Sequence, residues 1–224
     1  MCNCSVAPLW IGPTRERRPF VCLAILACLL GAVVPAPAHG QSADALMARA
    51  DEDLFAGRVA EAAHGYDRVA ALLPAQAPHL WQRGIALYYA ARFRDCRLQF
   101  ESHRLVNPDD VENAAWHFLC VARDSSFAAA RKALLPVGTD RRSPMREVYE
   151  MLQGTATPEE VITAGKGSAS GRFYAALYVG LYHEAQGDTA RARQQMAVAA
   201  RDEFARVGGY MHRVAQVHVA RMGR

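Results

Sequence analysis

The apolar residues of this chain fall into two regimes. From Phe20 to Val34 they form one unbroken run, preceded by Arg15, Arg17 and Arg18 and followed by small residues and prolines. After Gln41 they are interspersed with polar and charged residues in segments of helix length, bounded by Gly, Pro, Ser and Asp. Runs of four or more β-branched residues are absent and alanine is abundant, so the intrinsic preference of this second regime is helical throughout. The pattern predicts an all-α fold.

The order of the first forty residues, basic then apolar then small, is that of a secretory leader. Cleavage is expected after Ala38 or after Gly40, the second preferred because Gln41-Ser42 opens a polar segment. Fifteen apolar residues fall short of the roughly twenty that a membrane-spanning helix needs. Residues 1–40 are therefore expected to be removed, with residues 41–224 forming the exported domain, most simply in a bacterial periplasm and without a stable membrane span. Ile25-Leu26-Ala27-Cys28 is similar to a lipoprotein acylation box, but the apolar run continues past Cys28, which reads better as a signal-core cysteine than as a lipid anchor.

Within 41–224 the chain repeats itself with a period of 34 residues. One unit runs over 43–76 and the next over 77–110. They carry Ala50 and Gly84 at position 8, Gly57 and Ala91 at 15, Ala62 and Cys96 at 20, Tyr66 and Phe100 at 24, and Pro74 and Pro108 at 32. Two antiparallel helices approach closely where small residues sit at 8 and 20, a large residue at 24 fills the space beside them, and proline ends the second helix. A degenerate unit over 111–135 has Phe118 in a small position. Spacer helices follow over 144–164, where Thr157-Pro158-Glu159-Glu160 spells a capping box. A clear unit returns over 173–206 with Gly180, Gly187, Ala192, Met196 and Ala199, and a capping helix is expected over 208–222.

This pattern resembles the tetratricopeptide-repeat (TPR) family. The resemblance implies a solenoid of helical hairpins, about three to four repeats plus a C-terminal cap. It also implies a concave groove lined by Met47, Asp51, Leu54 and Phe55 of the first unit and by Trp81, Ile85, Tyr88 and Tyr89 of the second. Aromatic anchors of that kind are enriched where proteins bind one another, so a protein or peptide partner is expected there. The alternative is that another helix of the same chain, the terminal one included, covers the face. Where chaperone-binding relatives carry a Lys/Asn clamp, this chain has Met47, Asp51 and Gln82, so chaperone tails are not the expected ligand. From Trp116 to Ala200 the chain is also similar to NlpI-type envelope TPR lipoproteins, through Phe173, Tyr174, Tyr178, Gly180, Tyr182, Gly187 and Asp188. That likeness implies an adaptor in envelope maintenance.

Charge and candidate chemistry alter this picture little. The whole chain carries a formal +4, and without the leader 23 basic residues face 21 acidic ones. Lys and Arg are scattered singly or in pairs such as Arg141-Arg142, which gives no nucleic-acid patch. The segment from Gly165 to Gly171 is glycine-rich, but no strand precedes it, so it reads as a linker with a Ser cap and not a phosphate loop. Glu112, Asn113, Trp116, His117 and Cys120 cluster on one helix, and His117 and Cys120 share a face. A metal-binding or thiol-dependent enzyme centred on His117 and Cys120 is therefore the second hypothesis, with His103 and Cys96 as further ligands. No catalytic or nucleotide motif occurs, and the primary expectation is a non-enzyme with no cofactor and no metal. Cys96 is expected to face Gly84 of its own unit, so a Cys96–Cys120 disulfide is not expected. The terminal helix could cap the array or make a homodimer through Tyr210, Met211, Val214, Val217 and Met222.

Overall fold

The computed structural model describes residues 42–223; the leader, both cleavage positions and Cys28 lie outside the described residues. Among the described residues the fold is all-α, with no strand. The helices are α1 (Ala43–Phe55), α2 (Val59–Leu72), α3 (Trp81–Tyr89), α4 (Phe93–His103), α5 (Val111–Asp124) and α6 (Phe127–Lys132), then α7 (Met145–Gln153), α8 (Pro158–Gly165), α9 (Ala169–Ala185), α10 (Thr189–Ala199) and α11 (Ala205–Met222).

Local chemistry places the helix starts. Ser42, Asp110, Ser126, Ser168 and Asp188 each accept a backbone N–H of the first turn, satisfying donors that a helix N-terminus leaves free. The capping box read at Thr157 forms in full, with Glu160 bonding back to the Thr157 N–H at 2.7 Å and Pro158 at the first helical position.

Successive helices pair as α1 with α2, α3 with α4, α5 with α6 and α9 with α10. In two pairs the small residue at position 8 meets the large residue at 24 directly, where positions 8 and 20 are expected to face each other. A Cβ on Gly84 would stand 2.5 Å from the Phe100 ring, and one on Gly180 would stand 2.7 Å from the Met196 sulfur. The turns inside three pairs share one backbone state, with φ of 77° at Gly57, 59° at Ala91 and 84° at Gly187. Only the second of these lacks the glycine that makes a left-handed residue inexpensive.

Three expectations are revised. Phe118 is fully buried and meets Phe127 edge-on at 5.2 Å. The helix after it is a stub that ends at Lys132, short of the expected 135. The glycine-rich linker shrinks to Lys166–Ser168, because α9 begins at Ala169. Gly165 and Gly171 instead let α8 and α9 touch, since a Cβ on Gly165 would lie 2.5 Å from the Gly171 carbonyl oxygen. The terminal helix starts at Ala205 and breaks at Gly209 (φ 50°, ψ −121°).

One apolar core runs through the pairs, with Trp116, Tyr66, Phe100, Phe118 and Phe173 its largest fully buried side chains. Beyond the break, α11 packs on α9 and α10 and also reaches back to α1.

Candidate functional site

Of the eight residues expected to line the groove, Phe55, Trp81 and Tyr89 are met by side chains of α11. Tyr210 stands edge-on to Phe55 at 4.7 Å and to Trp81 at 4.8 Å, and its hydroxyl is 3.1 Å from that of Tyr66. Tyr66 in turn donates to Asp51. Arg213 sits over the Phe55 ring at 3.7 Å, and Tyr89 Oη lies 3.0 Å from His218 Nδ1. Leu54 and Ile85 are fully buried, Tyr88 and Tyr89 nearly so, while Met47, Asp51, Phe55 and Trp81 stay half-buried. An open aromatic floor is thus corrected to one covered by the chain's own last helix, the alternative stated above. The cause is apolar area: an uncovered stripe of four aromatic rings is costly in water.

The cover is incomplete. A cavity of about 570 Å³ remains between α3, α4, α5, α9 and α11, within the roughly 300–1,000 Å³ typical of small-ligand pockets. Its lining includes Trp81 and Ile85 of α3, Glu112, Asn113 and Trp116 of α5, Tyr174 of α9, and Tyr210 and Met211 next to the backbone break in α11. Asn113 and Trp116 are three residues apart and so share the cavity-lining face of α5. Asn113 Oδ1 and Trp116 Nε1 are both buried and have no hydrogen-bond partner among the described residues. Buried polar groups nearly always have partners, so two such atoms on residues of one cavity wall are a local exception.

Three carboxylates gather at the start of α5 around one cation. Arg142 donates to Asp110 at 2.6 Å, to Glu112 at 2.5 Å and to Asp140 at 2.6 Å. Asp110 also caps α5 through the Glu112 N–H at 3.0 Å, and Asp140 accepts the Val111 N–H at 3.2 Å. Glu112 receives a further bond from the Tyr178 hydroxyl at 2.6 Å. Burial raises the Glu112 carboxyl above its ordinary value despite the bonds from Tyr178 and Arg142. The Tyr174 phenol beside it is pushed up to about 12, by burial first and by Glu112 next. Asp110 and Glu112 both line the cavity, and no Lys or Arg side chain is among its lining residues.

The other face of α5 carries the thiol hypothesis, and here the structure overturns an expectation. Cys96 and Cys120 form a disulfide, their Cα atoms 5.9 Å apart, inside the usual range for such a bond. Phe100 fills the space over Gly84, so Cys96, one turn earlier on α4, faces α5 instead. Cys120 is therefore not a free nucleophile. His117 is buried, with Nε2 3.4 Å from Glu101 Oε1 and Nδ1 unpartnered among the described residues. Burial lowers its pKa. His103 bonds the Pro78 carbonyl through Nδ1 at 2.8 Å. Among the described residues no group of three or more His, Cys, Asp or Glu is placed to hold a metal ion.

No protein-family model matches the chain, and no curated protein matches it.

Sequence reading singled out Trp81, Glu112, Asn113 and Trp116, but it missed Tyr174 as a lining residue and Arg142 as the hub of the carboxylates. Tyr174 stood in the repeat pattern only as part of a family likeness. Arg142 lies in a loop between units, where spacing carries no information on contacts.

Proposed function

We propose that this chain is an exported TPR-type scaffold, one that binds a segment of a partner protein in the cavity between α3, α5 and α11. The recurring small-to-large contacts at positions 8 and 24 and the shared turn conformation support the TPR-type reading, and the leader-like first forty residues support export. The observation that carries the binding reading is the cavity itself: aromatic side chains line it, and two buried polar atoms on α5 have no partner among the described residues. Aromatic walls bury area at small entropic cost, and orphaned donors and acceptors give direction to what enters. An adaptor role in envelope maintenance is consistent with both. The rest of the floor is filled by α11, so the partner is read as engaging the cavity and its rim and not the full length of the groove.

The test is selection of peptides from a random displayed library on the purified protein, followed by rebinding to Trp81→Ala and Asn113→Leu variants. Selected peptides should lose at least tenfold in affinity on both. Peptides that bind the variants as tightly as the parent protein would sink the assignment of this cavity.

A further inference from the structure

We propose that the cavity takes an organic cation, the side chain of a lysine or arginine presented by the bound segment; this rests on the reading of the cavity as the binding place. Four features of the lining converge on that chemistry. Asp110 and Glu112 supply carboxylates, and with Asp140 they outnumber Arg142, the guanidinium they share, by three to one. Trp81, Trp116, Tyr174 and Tyr210 supply aromatic rings. Ring faces attract a cation by about 0.5–2 kcal/mol each where water is reduced. Asn113 Oδ1 is a buried acceptor without a partner among the described residues, suited to an ammonium or guanidinium N–H once the side chain turns toward the cavity. Trp116 Nε1, the matching unpaired donor, suits a backbone carbonyl of the segment that delivers the cation.

An anion would meet two carboxylates in the lining and no Lys or Arg, with only neutral amide, hydroxyl and indole donors and two histidines to offset them. A purely apolar side chain would leave Asn113 Oδ1 and Trp116 Nε1, already buried, without a partner, and would gain nothing from the carboxylates. A cation on an aliphatic stem answers both the charge and the rings.

The experiment titrates the purified protein with three blocked peptides, acetyl-Ala-Lys-Ala-amide and its norleucine and glutamate counterparts, and with cadaverine as a free cation. Binding is followed by tryptophan fluorescence and calorimetry. The lysine peptide should bind at least tenfold tighter than the norleucine peptide, which matches its length without the charge, and the glutamate peptide should be weakest. The paired change Asp110→Asn with Glu112→Gln keeps shape and helix cap, and should bring the lysine and norleucine peptides within about twofold. If that variant unfolds, Trp81→Leu, at a half-buried position, should cut lysine affinity alone by about fivefold. Norleucine binding as tight as lysine would overturn the cation inference while leaving a peptide site standing. Cadaverine binding without the lysine peptide would keep the cation and overturn the peptide as its source. No response to any of the four would overturn the inference outright.

Discussion

Tyr89 Oη and His218 Nδ1 lie 3.0 Å apart, joining α3 to the last helix across 129 residues of sequence. Both side chains are buried. Replacing Tyr89 by Phe removes the hydrogen bond and keeps the ring, leaving His218 with an unanswered ring nitrogen. The expected loss is about 1–2 kcal/mol in urea unfolding, together with faster amide exchange confined to α11.

The same histidine makes stability depend on pH. Burial lowers the His218 pKa below its ordinary 6.5, against the attraction of Glu184 and with the help of Arg221 and Arg123. His117 is lowered in the same direction, again by burial first. A base that resists protonation when folded binds fewer protons than it does unfolded. Stability is therefore intact above pH 6.5 and falls as the pH drops through that value toward the folded pKa values. Melting temperature should decline between pH 7.5 and 5.5, and His218→Gln should flatten the decline. An unchanged slope would remove His218 from the account. Asp67 and Asp140 belong to a lower window. Burial raises them, but their arginine partners hold both below 3.8 overall, so their contribution is lost only in stronger acid.

Ala91 occupies the left-handed backbone position where the equivalent turns carry Gly57 and Gly187. Ala91→Gly should relieve that conformation and stabilise the protein by about 1 kcal/mol. The check is a rise of a few degrees in melting temperature. Gly57→Ala should shift it by a similar amount downward.

The Cys96–Cys120 bond closes a loop of 24 residues between α4 and α5. Loop closure of that length restricts the unfolded chain by roughly 3 kcal/mol. Reductant should lower the melting temperature, and a Cys96→Ala/Cys120→Ala variant should melt at the reduced value whether or not reductant is present. Non-reducing peptide mapping should recover the two peptides linked.

Arg142 joins Asp110, Glu112 and Asp140, and its side chain is 45% exposed. Breaking a fully buried pair costs about 3–5 kcal/mol and an exposed one under about 1 kcal/mol. Arg142→Gln should fall between, at about 2 kcal/mol, with part of the loss recovered in 0.5 M salt as the three carboxylates are screened from each other. A loss that salt does not change would point to packing of the side chain stem instead.

Much of the helix layout could be read from residue types alone, because caps, turn residues and the contacts at positions 8 and 24 are local. Thr157 with Glu160, Gly84 with Phe100 and Gly180 with Met196 are legible for that reason. The cavity was legible only on its α3 and α5 walls. Tyr174 and Tyr210 reach it from segments distant in sequence, and nothing in a 34-residue period says which face a later helix returns to. The cysteines misled for a related reason: the period fixes that Cys96 faces a neighbouring helix, but Phe100 already occupies the place over Gly84, and only the packing of α4 on α5 reveals the remaining direction.

The return of α11 to α1 alters how the array holds together. Stacked repeats that touch only their neighbours behave as one-dimensional chains, whose ends fray and whose units unfold in steps. Here the last helix is bonded to the first and second pairs through Tyr210 and His218, so the stack has a clasp. Loosening either end would expose the other, so the helical pairs are expected to unfold together and not in steps.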